Sequence, residues 1–164
     1  MALSAAHRRL LLVDNGVGAA AFNFALNGAI AWLLFRSVTH VPLWGGSSVA
    51  GDTLVTAFLL PFLTCLIVTR LVARQVAEGR IPRLSEADRT PSSWSRRSPL
   101  SRGALLGAAS VVLAALPVVA ALALSGSAGL ALWSFIGFKA AFAACLAAIV
   151  TPLVAWWALL RASG

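Results

Sequence analysis

Hydrophobic and polar positions along this chain segregate into long blocks instead of alternating within short elements. Four apolar blocks, about residues 10–35, 52–78, 99–124 and 130–160, are separated by polar or turn-rich segments. A helix rises ~1.5 Å per residue and the hydrocarbon core of a bilayer is ~30 Å thick, so ~20 consecutive apolar residues suffice to cross it. The pattern predicts an all-α, integral membrane four-helix bundle forming a single transmembrane domain over residues 1–164. Asp52 is placed as an N-cap or first-turn acid of the second helix. Gly79 and Pro82 mark where that helix stops. Ser98-Pro99 reads as N-cap and N1 of the third helix. Ser125-Gly126-Ser127 with Gly129 leaves only a short turn before the fourth, which predicts a tight hairpin of helices three and four. The apolar run Leu10–Val13 is stopped by Asp14 and Asn15, too soon for the core of a cleaved signal, so the first helix is expected to be retained.

Composition removes the soluble alternatives. Hydrophobic residues make up 60% of the chain and charged residues 11%, against ~45–50% and ~25% in soluble domains. The thirteen Lys/Arg residues outnumber five acids, and eight of them fall between Arg70 and Arg102. By the positive-inside rule this gives an N-in/C-in topology with a long Arg-rich cytoplasmic loop between helices 2 and 3. These arginines flank apolar spans and have few aromatics among them, so anionic lipid headgroups are the expected partner and nucleic acid is not. Arg80, Arg83, Arg89, Arg96 and Arg97 are the expected headgroup contacts, each worth ~1 kcal/mol near a charged membrane surface. Arginine in place of lysine and abundant alanine suggest a GC-rich bacterial genome, hence a multi-pass protein of the cell inner membrane.

Polar groups inside a bilayer are costly, so each needs a reason. Lys139 lies six residues inside Trp133, about 9 Å by helical rise. Asn27 and Asn23 sit one turn apart on one face of the first helix. Thr53 and Thr56 lie at comparable depth on the second, with Asp52 above them. All fall in the outer half of the bilayer under the expected topology. They are the candidate ligand or pathway residues, and Pro61 would free the carbonyl of Ala57 at that depth. The competing account makes Lys139 a snorkelling side chain or the partner of Asp52, and the asparagines interhelical hydrogen-bond glue. Asp14 and Asn15 read as cytoplasmic-end helix-start groups. Gly103 and Gly107, and Gly137, Ala141 and Cys145, form small-residue stripes that suit either packing within the bundle or an oligomer contact.

Several chemistries have no residues to carry them. Cys65 and Cys145 are isolated and read as packing residues; His7 and His40 lie at opposite ends of the spans. Neither set gives a metal spacing, and no nucleophile has a neighbouring base. No enzyme activity, metal or cofactor is expected. The sequence reads as a transport or channel protein for a small polar solute or ion, with a polar site in the outer half of the bilayer. A homo-oligomer or a partner membrane subunit would complete the pathway. The alternative is a non-catalytic accessory or scaffold subunit of a larger membrane complex.

Overall fold

The computed structural model describes residues 3–86, 94 and 97–164. It contains four helices long and apolar enough to cross a membrane: α1, Ala5–Phe35; α2, Val49–Ala77; α3, Pro99–Leu124; and α4, Leu132–Ser163. Helix α1 begins earlier than the apolar pattern implies because Ser4 caps it, its hydroxyl accepting from the His7 amide. Helix α2 likewise starts at Val49, capped by Ser48, whose hydroxyl accepts from Gly51 N. That leaves Asp52 in the first turn. Ser98 caps α3 with Pro99 behind it, as the spacing predicts. Glu78 ends α2, and Gly79 turns the chain at φ 72°.

Two stretches wind more loosely than an α-helix. Residues Arg9–Gly18 of α1 form π-helical turns, as do Val111–Ala115 of α3. The second lies directly before Pro117, which offers no N–H and crowds the carbonyl four residues back, so the ladder widens there. In the first, the Asn15 amide donates to the carbonyl of Leu10 at 2.8 Å and satisfies a carbonyl near the start of the wide turns.

Helix α4 is the centre of the bundle and the most buried of the four, whereas α1 is the least. Both α1 and α2 pack along α4, and α3 packs on α2. The expected tight α3–α4 hairpin is therefore not the arrangement. Glycine decides this: a Cβ on Gly107 would meet the Phe58 carbonyl oxygen and ring at 2.8 Å, and one on Gly103 would meet Phe62 O at 3.0 Å. The backbones of α3 and α2 approach too closely for a side chain between them. Gly107→Leu should destabilise the bundle by about 1–3 kcal/mol through overpacking. Gly137→Leu should leave it nearly unchanged, because nothing lies within 4 Å of that position. Unfolding in detergent measures both; a benign Gly107→Leu would refute the close contact. The stripe of Gly137, Ala141 and Cys145 is exposed, so Cys145 is not the packing residue its sequence context suggests.

Away from the termini, the interhelical loops form a two-stranded antiparallel ribbon that the sequence did not predict. Strand β1 (His40–Pro42) pairs with β2 (Gly129–Ala131), Val41 opposite Leu130. At the other end, the residues after α2 fold back onto the bundle. Ile81 and Leu84 are buried, Leu84 N donates to Ser163 Oγ at 3.0 Å, and His7 Nε2 lies 2.7 Å from the Pro82 carbonyl.

Candidate functional site

Because α1 and α2 both lean on α4 without packing closely on each other, a groove of about 620 Å³ opens between them. This is within the ~300–1,000 Å³ typical of ligand pockets. Its α1 wall runs from Asp14 to Leu34 and its α2 wall from Asp52 to Val68. Twenty residues of helix rise about 30 Å, so the groove is about as long as a hydrocarbon core is thick. Phe22, Leu26, Val55, Leu59 and Leu63 make it predominantly apolar.

At the ribbon end, Lys139 Nζ donates to Asp52 Oδ1 at 2.5 Å. Lys139 is 4% exposed, so it turns inward and does not snorkel. Its ammonium has three N–H groups, and this contact uses one. Asp52 Oδ2 is buried without a hydrogen-bond partner among the described residues. Both residues line the groove. The pair places a buried donor and an unsatisfied acceptor at one end of an apolar channel.

Polar side chains continue from there along the walls. On α1, Asn27, Asn23 and Asn15 all line the groove. Each amide nitrogen bonds to its own helix: Asn27 to the Asn23 carbonyl at 3.1 Å, Asn23 to Ala19 at 2.9 Å, and Asn15 to Leu10. The glue reading of Asn23 and Asn27 is thus replaced by donation within α1, which leaves each with one amide N–H and its Oδ1 acceptor. Thr56 and Thr64 stand on the opposite wall, and Thr151 of α4 lies on the floor. Asp14, expected as a helix-start group, sits well inside α1, is exposed, and forms no ion pair among the described residues.

Not every sequence candidate takes part. Thr53 is buried and donates to the Val49 carbonyl at 2.6 Å, outside the groove lining. Ala57 and Pro61 face the bundle core instead, so the carbonyl freed by Pro61 is no part of the site. Asp14, Asn15, Thr64 and Thr151 are the polar lining residues that sequence reasoning missed. Asn15 lies among the π turns, which alter the angular spacing of side chains.

The arginines proposed to meet headgroups divide. Arg80 pairs with Glu78 at 3.0 Å, and Glu78 also accepts from Arg74 at 2.6 Å. Arg83 is exposed, and Arg97 lies over the Trp94 ring, which stacks on Trp157. Arg89 and Arg96 lie outside the described residues. One arginine the sequence did not single out is wholly buried. Arg102 reaches Thr69 Oγ1 with Nη2 at 3.2 Å, while its Nε and Nη1 have no partner among the described residues.

Among the described residues no cluster of His, Cys, Asp or Glu is arranged to hold a metal ion. No protein-family profile matches the sequence, and neither a curated protein nor a solved structure matches it.

Proposed function

We propose that this multi-pass membrane protein is a transport protein for an amphiphile, a molecule with a polar headgroup and an apolar tail. The observation that carries the reading is the groove itself: apolar along its length, open between α1 and α2, with a buried Asp52–Lys139 pair at one end. A water-soluble solute or ion would favour a polar, enclosed path. A groove with apolar walls and polar rungs instead suits a headgroup that moves along the protein while its tail stays in lipid. This refines the sequence reading by changing the substrate from a soluble solute to a membrane-resident one.

The positive-inside rule orients the site. The arginine-rich connection and both termini are assigned to the cytoplasmic side, which puts the ribbon and the Asp52–Lys139 pair at the outer side of a bacterial inner membrane. Cysteines introduced at Gly46 and Ser92 should react with an impermeant thiol reagent from outside and inside respectively. The reverse pattern would invert the direction of the groove.

In proteoliposomes, the wild-type protein should accelerate transbilayer movement of a fluorescent lipid relative to empty vesicles. Native mass measured in mild detergent should also show retained lipid. No acceleration together with a tightly held second membrane subunit would overturn this reading in favour of an accessory or scaffold role.

A further inference from the structure

The charged groups of the groove are biased toward acceptors, with the carboxylates of Asp14 and Asp52 against the single ammonium of Lys139. Asn15, Asn23 and Asn27 each give one amide N–H to their own helix and keep the other N–H and a carbonyl oxygen. Asp52 keeps an unpartnered, buried carboxylate oxygen, and Asp14 a carboxylate with no ion pair among the described residues. The one cationic donor is Lys139, two of whose N–H groups remain after Asp52 takes the third. Counting Asp14, Asp52 and Lys139, the groove carries one surplus negative charge.

From this we infer that the cargo headgroup is a primary ammonium joined to a phosphate, as in an ethanolamine-type phospholipid. The inference rests on the transport reading and names its substrate class. A primary ammonium offers three N–H donors, which match Asp52 Oδ2 and then the successive asparagine oxygens. The phosphate accepts the two remaining Lys139 donors. The two charges of the headgroup therefore meet the two charges of the buried pair in complementary order. A glycosyl headgroup is donor-rich as well, but it has neither an ammonium for Asp52 nor a phosphate for Lys139. A choline headgroup has no N–H at all. Sites for quaternary ammonium use aromatic cages, and Phe22 is the sole aromatic residue in the lining, in a chain without tyrosine.

The asparagines extend the match along the membrane. Their depths step from the ribbon end toward the termini, from Asn27 to Asn23 to Asn15, with Asp14 beyond. An ammonium leaving Asp52 meets an acceptor at each stage before it reaches a second carboxylate. Desolvation in the apolar groove makes such acceptors worth more than they are in water.

The test uses purified protein in proteoliposomes, with tail-labelled lipids bearing ethanolamine, choline or diglucosyl headgroups, and measures both binding and transbilayer rate. The ethanolamine lipid should move about tenfold faster than the choline lipid, the ratio that one charge-assisted hydrogen bond provides. Asn23→Leu leaves the buried ion pair intact and should reduce that preference severalfold while the protein stays folded. Lys139→Met with Asp52→Asn should abolish binding and movement of the ethanolamine lipid. Equal rates for all three lipids, or a faster diglucosyl lipid, would overturn the headgroup assignment and leave the transport reading standing. If no lipid moves or binds, both fail together.

Discussion

Replacing Lys139 with Met should destabilise the protein by about 3 kcal/mol or more, and so should replacing Asp52 with Leu. Each change strands the other half of a pair that is taken out of water. Breaking a buried ion pair costs ~3–5 kcal/mol because an uncompensated charge remains. The Lys139→Met, Asp52→Leu double variant removes both charges and should recover most of the loss, since apolar replacement of a whole pair is often neutral or stabilising. Unfolding in detergent or bicelles measures the cycle, whose interaction energy should be large because the two side chains touch at 2.5 Å. The same double variant should lose lipid transport. Stability and transport then move in opposite directions, a split that purely structural pairing does not produce. Additive single-variant losses would show that the two groups do not interact.

The second large effect concerns Arg102. Its guanidinium is completely buried, yet among the described residues a single hydrogen bond to Thr69 holds it, and two of its nitrogens lack partners. An unsatisfied buried polar group costs ~1–3 kcal/mol, and more when charged. Arg102→Met keeps an unbranched apolar stem and should stabilise the bundle by about 2 kcal/mol. Thr69→Val removes the one partner and should destabilise it by a similar amount, as expected for a bond to a charged group. With Met at 102, the valine at 69 should become nearly harmless. A loss of stability in Arg102→Met would mean that the guanidinium is satisfied by something beyond Thr69.

The four spans were legible because each is a long apolar block, and their caps were partly legible because Ser98-Pro99 and Gly79 are unambiguous local signals. Helix order was not. It depends on which backbones approach closely, and the glycines at 103 and 107 fit either a neighbour within the chain or a second copy. The ribbon was invisible for a different reason. Three residues per strand are too few to show alternation, and its partners, His40–Pro42 and Gly129–Ala131, lie far apart in sequence. At the candidate site, depth alone brought Lys139, Asp52, Asn23 and Asn27 into one layer, and the structure places all four in the groove lining. Thr53 was misassigned because shared depth says nothing about which face a residue occupies. Asn15 was overlooked because π turns advance each residue through a smaller angle than α turns do. A straight α-helical projection from Asn23 therefore misplaces it.

The ribbon also has a mechanical consequence. It knots the far end of α1 to the start of α4 through paired backbone bonds, reinforced by Leu132 N to Thr39 O at 3.0 Å and the edge-to-face rings of Phe35 and Phe135. At the opposite end, α1 is held by packing: Leu10 is buried in one core cluster with Ile81 and Leu84, beside the contact of His7 with the Pro82 carbonyl. The α1 wall is thus tied at both edges, by backbone pairing at one and by side-chain packing at the other. Any cargo therefore comes in sideways, through the open face between α1 and α2, and not past either end.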